Sequence, residues 1–187
     1  NQPMVDTLGN ILAFNGEIYN YTELRQRLTH HAVDFKTNSD TEVLMEWFKK
    51  YGVEGLSELR GMYAFIYFCK QSGLVTIVRD PLGIKSVYYS DVYGFQAASE
   101  LKGLKTPSTY SKKGLSQYLQ YQSTQNGETL FESVKILSPG HYLEFDTKTS
   151  SVLSIGQYWA FPSIKSVTIY KQDILTKTRD LLEAAVS

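Results

Sequence analysis

Residues 62–69 read Met-Tyr-Ala-Phe-Ile-Tyr-Phe-Cys. Nearly every position is apolar or aromatic, without the in–out alternation of a strand that keeps one face wet. The run therefore predicts a strand covered on both faces. Toward the C-terminus, Gln71-Ser72-Gly73 is a turn and Leu74 to Arg79 a returning strand, so the first pairing is antiparallel. Asp80-Pro81-Leu82-Gly83 has the composition of a type I turn. Val87–Ser90 and Phe95–Ala98 form a second pair around residues 91–94, and His141–Phe145 and Val152–Tyr158 are late strands. Toward the N-terminus, Asn10–Phe14 reads as a short strand, Asn15-Gly16 as a two-residue hairpin turn, and Glu17-Ile18-Tyr19 as its return.

Helices are expected in groups between these strands. Asn20-Tyr21-Thr22-Glu23 has capping-box character and opens a helix to about His31, with Leu24 and Leu28 on one face. Ser39-Asp40-Thr41-Glu42 is a full capping box before Val43, Leu44, Trp47 and Phe48, with an end near Gly52. Ser99 can cap a short helix through Leu104, and Ser111 a longer one through about Tyr121. A polar loop spans Gln122–Thr129, and Ile169–Val186 is an amphipathic helix. Hairpins with segregated helices indicate an α+β fold rather than an alternating parallel plan.

Composition narrows function. The 187 residues suffice for one good-sized domain, and 14 Tyr and 9 Phe against 2 Trp favour half-buried pleated surfaces. With 19 basic and 19 acidic residues, no summed positive field draws in nucleic acid. No run is long enough to span a membrane, and the first residues lack the basic and apolar regions of a signal peptide. One cysteine, Cys69, excludes an internal disulfide and makes a reducing cytoplasmic location the default. Three histidines without metal-ligand spacing predict no metal site. Cys69, inside an apolar strand, reads as a small hydrophobe rather than a nucleophile. His141 is expected to satisfy a local backbone group, and His30-His31 to sit on a solvated helix end. Arg79, Asp80 and Lys85 read as a turn tied by an Arg–Asp pair.

Six segments in order carry a resemblance: Phe14-Asn15-Gly16-Glu17-Ile18-Tyr19-Asn20, Ser39-Asp40-Thr41-Glu42, Arg60-Gly61-Met62-Tyr63-Ala64-Phe65, Arg79-Asp80-Pro81-Leu82-Gly83-Ile84-Lys85, Ala98-Ser99-Glu100-Leu101-Lys102 and Pro139-Gly140-His141-Tyr142-Leu143. Together they resemble the glutaminase domain of asparagine synthetase, a class II glutamine amidotransferase of the N-terminal-nucleophile (Ntn) hydrolase fold. The resemblance runs the length of the chain. It implies an αββα four-layer sandwich of two antiparallel sheets, with residues 1–166 forming the glutaminase domain without its first strands. Residues 167–187 then begin the first helix of a synthetase domain.

The same resemblance implies the chemistry. An N-terminal cysteine, activated by its own α-amino group, attacks the side-chain amide of glutamine. Ammonia leaves for an ATP- and Mg2+-dependent synthetase domain that amidates aspartate to asparagine; the glutaminase domain itself needs no cofactor. The matching residues assign Asn15 (side chain) and Gly16 (backbone N–H) to an oxyanion hole, Asp40 to the α-ammonium of glutamine, and Glu17 to a weaker substrate contact. Plainer readings stand beside these. Asn-Gly is what a tight turn uses, Asp40 suits the first turn of any helix, and Glu17 is a strand residue beside a turn.

Position 1 is Asn, so the nucleophile cysteine is not among these residues, and the 187 residues alone are expected to be inactive. Ser86 and Ser138 stand where the family commonly has proline, and the 122–127 loop lacks prolines usual in asparagine synthetases. These departures leave two further readings: an amidotransferase acting on a sugar acid or other carboxylate, and a degenerate, non-catalytic scaffold. Partners implied are glutamine and a fused synthetase domain, with a homodimer left open.

Overall fold

A computed structural model describes residues 2–106, 109–163 and 171–186. Nine strands form two antiparallel sheets among the described residues. The larger contains β1 (Met4–Val5), β2 (Ile11–Ile18), β3 (Gly61–Cys69), β4 (Leu74–Arg79), β8 (His141–Asp146) and β9 (Ser151–Gln157) in the order β1-β2-β3-β4-β8-β9. The smaller contains β5 (Tyr88–Ser90), β6 (Gln96–Ala98) and β7 (Lys135–Ile136) in the order β6-β5-β7. The helices are α1 (Tyr21–Thr29), α2 (Asp40–Tyr51), α3 (Lys112–Tyr121) and α4 (Lys171–Val186). The two antiparallel sheets and their helices agree with the expected Ntn-hydrolase class. The boundary placed at 166/167 lies outside the described residues.

The run at 62–69 is central and sandwiched, as its composition requires. Tyr63, Phe65 and Tyr67 face α1 and α2, packing with Leu24, Leu28, Leu44, Trp47 and Phe48. On the other face Ala64 joins Ile77, Leu143 and Phe145 of the larger sheet against Val87, Leu137 and Phe95 on the smaller sheet's side. Phe95 and Phe145 stack with ring centroids 4.0 Å apart, joining the two sheets. Two cores thus form, one on each face of a shared sheet.

Several local expectations are corrected. Asn15-Gly16 is not a turn: β2 runs unbroken from Ile11 to Ile18 and pairs with β3 along its whole length. Gly16 is there for closeness instead. Its φ is +143°, and a Cβ on it would lie 2.0 Å from the Met62 carbonyl oxygen. Gly61 mirrors this, its Cβ position falling 2.1 Å from the Glu17 carbonyl. Strand and glycine here satisfy the same sequence cue that a turn would.

Asn20 precedes α1 but does not cap it with its side chain. It donates to Glu58 O at 3.0 Å and accepts from Arg60 N–H at 3.0 Å, clamping the end of β2 to the segment entering β3. Ser39 does cap α2, its Oγ accepting from Glu42 N–H at 3.3 Å. The reciprocal half of the box is absent, because the Glu42 carboxylate instead accepts from Lys36 N–H and Thr37 N–H, at 2.8 and 2.7 Å. Ser111 caps α3 through Gly114 N–H at 3.0 Å. Ser99 caps nothing: the short 3-10 turn Leu101–Gly103 follows Glu100 without a side-chain cap.

Arg79 and Asp80 are buried and structural, but not through an ion pair. The guanidinium donates to the carbonyls of Lys85, Leu137 and Gly83 at 2.8, 2.7 and 2.8 Å. The Asp80 carboxylate accepts from the N–H groups of Leu82, Ile84 and Lys85 at 3.1, 3.0 and 2.9 Å. Each charge is spent on backbone, so the 80–85 turn is organised from both sides. Burial lowers the Arg79 pKa from its ordinary value. His141 Nδ1 meets Pro139 O at 2.7 Å, and His30 and His31 are exposed on the end of α1, both as expected. Among the described residues no helix is long and apolar enough to cross a membrane.

Candidate active site

The site is built on the edge of β2. Its pairing alternates, and the parity can be read from its neighbours. Tyr19 N–H donates to Arg60 O at 2.8 Å, and Tyr63 O accepts from Asp80 N–H at 2.8 Å, on the β4 side. Odd residues of β2 therefore bond to β3, and Gly16↔Tyr63 is a non-hydrogen-bonded pair. The N–H groups of Phe14, Gly16 and Ile18 point the other way, where β1 pairs only as far as Leu12.

Side chains fill two of these three positions. Phe14 N–H donates to Gln2 Oε1 at 2.7 Å, and Ile18 N–H to Asp40 Oδ2 at 3.1 Å. Between them, Gly16 N–H is directed at a cleft of about 400 Å3 lined by Gly16, Glu17, Tyr21, Asn38, Ser39 and Asp40. Asp40 reaches it from the first turn of α2, where the helix dipole favours a carboxylate. Its Oδ2 takes one strand N–H and Oδ1 meets Thr41 Oγ1 at 3.4 Å. A carboxylate has about four lone-pair directions, so Asp40 retains acceptor capacity toward the cleft.

Asn15 and Glu17 project from the face of β2 opposite the α1/α2 core, and both are exposed. Asn15 lines a second hollow, of about 250 Å3, between the sheets, with Gln2, Ala64, Val87, Ala98 and Ser99 among its walls. Its Nδ2 donates to Ser99 Oγ at 3.2 Å, leaving the second amide hydrogen available. Asn15 thus faces the separate hollow between the sheets, while Gly16, Glu17 and Asp40 share one cleft at the β2 edge. Asp40, 22 positions from Ile18, is brought there by a hydrogen bond. The sequence reading missed Ser99 as a neighbour of Asn15, and Gln2 as the cap on Phe14. Neither has a spacing signal, because each contact depends on how distant segments pack.

A larger concavity lies elsewhere, at the C-terminal end of α2 and the β3–β4 turn. It measures about 960 Å3 and is lined by Phe48, Tyr67, Cys69, Leu74 and Thr76 among others. Cys69 is half-buried at the strand end, not sealed within it. The Ser72 hydroxyl and backbone N–H hold its thiol below the ordinary range. No histidine lines the concavity to act as its base, and Asn15, Gly16 and Asp40 line other hollows. Size does not select this hollow for amide chemistry.

Similarity to known proteins identifies the family. A family described as a glutamine amidotransferase domain matches residues 1–159. "Asparagine synthetase [glutamine-hydrolyzing] 1" of Bacillus subtilis (strain 168) is 34% identical over 180 residues, 94% of this chain and 28% of that protein. A putative asparagine synthetase 2 of Methanocaldococcus jannaschii is 30% identical over 97% of this chain and 36% of its own length. The chain therefore spans about a third of these relatives. Among solved structures, glutamine phosphoribosylpyrophosphate amidotransferase from B. subtilis superposes with a TM-score of 0.58 at 22% identity, covering 84% of this chain and 32% of that one. That likeness supports the fold alone. With the family matched over residues 1–159 of 187, the chain belongs to the glutamine amidotransferase domain family.

Proposed function

We propose that the β2 edge is a glutamine-hydrolysing site that supplies ammonia to a fused synthetase domain. The observation that carries this reading is Gly16 on a strand edge that β1 leaves unpaired, lining one cleft with Asp40, beside an Asn15 amide with one hydrogen to spare. Amide hydrolysis passes through a tetrahedral intermediate whose oxygen carries new negative charge, and preorganised N–H donors stabilise it. Gly16 N–H and the second Asn15 Nδ2 hydrogen are such donors. Asp40 is the fixed counter-charge for the α-ammonium of glutamine, and Glu17, on the cleft wall, is a weaker substrate contact. The resemblance supplies an N-terminal cysteine as nucleophile, and Cys69, at the end of β3, lines a different hollow.

The acceptor of the ammonia is aspartate in this reading, giving asparagine in the cytoplasm. ATP and Mg2+ serve the synthetase domain, and no residue described here is assigned to either. Residues 167–187 begin that domain. Support comes from the relatives' names and from their length. The test uses the full-length protein with glutamine, ATP and Mg2+, supplied with either aspartate or a uronic acid, and follows glutamate and amide product. Glutamate release coupled to asparagine supports the reading. Amidation of the sugar acid instead moves the acceptor, and ammonia-dependent synthesis without glutamate release shows a scaffold domain.

A further inference from the structure

We propose that Ser99 is a positioning residue for the Asn15 amide, so that the turn leaving the smaller sheet tunes the rate of glutamine hydrolysis. The inference rests on the glutaminase reading above and adds a residue to it. Asn15 belongs to β2 of the larger sheet, and Ser99 follows β6 of the smaller one. They are 84 residues apart, joined by Nδ2 donating to Ser99 Oγ at 3.2 Å. Both side chains are exposed in the hollow between the sheets. Among the described contacts this is the hydrogen bond that holds the Asn15 side chain.

An asparagine side chain has two rotatable bonds, and its terminal torsion is broad. Without a partner, the Asn15 amide samples orientations that point its oxygen, not its hydrogens, toward the developing oxyanion. That orientation repels the charge it should stabilise. The Ser99 hydroxyl accepts one Nδ2 hydrogen, and the planarity of the amide then fixes the direction of the other. A donor aimed before the reaction begins costs no reorganisation during it. Ser99 does not touch substrate in this scheme; it acts through Asn15. Because the bond is exposed, water competes for it, and the effect is modest beside loss of Asn15 itself.

The variants are Ser99→Ala, Ser99→Thr and Asn15→Ala, with the double change Asn15→Ala/Ser99→Ala, all in the full-length protein. Glutamate release from glutamine is measured at steady state, beside thermal melts. Ser99→Ala is expected to lower kcat roughly threefold to tenfold, the scale of one neutral hydrogen bond, with KM and melting temperature unchanged. Ser99→Thr, which keeps the hydroxyl, restores the rate. In the Asn15→Ala background, Ser99→Ala has no further effect, because its route of action is gone. An equal loss in both backgrounds, or no loss from Ser99→Ala beside a large one from Asn15→Ala, overturns the proposal. Wild-type protein that releases no glutamate overturns the glutaminase reading itself, and this inference with it.

Discussion

The Asp40 carboxylate at the start of α2 accepts the Ile18 N–H at the end of β2, 3.1 Å away. One side chain therefore closes an open strand edge and places a negative charge beside Gly16. The two tasks separate by substitution. Asp40→Asn keeps an oxygen for Ile18 N–H and removes the charge. In the full-length enzyme it should raise KM for glutamine roughly 10- to 100-fold, as for losing one charged partner, with kcat little changed. Steady-state kinetics beside a thermal melt check it; a matching fall in melting temperature would instead assign Asp40 to structure alone.

Gly16 cannot be separated in the same way. Its Cβ position falls 2.0 Å from Met62 O, a backbone atom that cannot turn aside. Gly16→Ala should cost about 2–4 kcal/mol by forcing β2 away from β3. Denaturant unfolding should show it, and glutamine-dependent activity should fall with the fold.

Arg79 offers a purely structural test. Its guanidinium serves three buried or part-buried carbonyls, and among the described residues it makes no ion-pair contact with a carboxylate. Lysine cannot reach three divergent acceptors from one point. Arg79→Lys should therefore be nearly as damaging as Arg79→Ala, each costing about 3–5 kcal/mol in chemical denaturation. A lysine variant of wild-type stability would show that water or Asp80 takes over.

Much of this was legible in the sequence. The sandwiched strand at 62–69, the Leu74–Arg79 return and the Ser39 and Ser111 caps follow from local pattern, and local pattern persists in the fold. Asn15-Gly16 misled because a tight turn and a close strand approach both demand glycine, and only the Met62 carbonyl across the ladder tells them apart. Ser99 misled for a related reason: a serine before a short helix looks like a cap until Asn15, from the other sheet, occupies its oxygen. The Arg79–Asp80 neighbours suggested a pair, yet backbone groups of the turn between residues 80 and 85 outbid that contact on both sides. What sequence cannot show is which distant group arrives first.

Glu42 should make the segment that carries Asn38 and Ser39 of the cleft wall respond to pH. Burial works against its charge, but the Thr37 hydroxyl and the Lys36 and Thr37 N–H groups win and hold its pKa below the ordinary value. A carboxylate depressed in the folded state contributes stability above its unfolded pKa and loses it as pH falls through the folded one. The segment around 36–39 should therefore loosen on acidification below the ordinary carboxylate range. Glu42→Gln should lower stability at neutral pH and flatten that acid limb. Melts from pH 7 to pH 3 measure both, and an unchanged limb would mean that Glu42 does not control it.

The central claim is that the β2 edge stabilises an oxyanion during glutamine hydrolysis, and Asn15→Ala in the full-length enzyme tests it most directly. The change removes a donor that matters when charge develops. It should lower kcat for glutamate release by ~10²–10³, leave KM for glutamine nearly unchanged, and spare synthesis driven by added ammonia. Glutamine- and ammonia-dependent rates measured on the same preparation decide it. Undiminished glutamate release, or equal loss of both rates, would contradict the account.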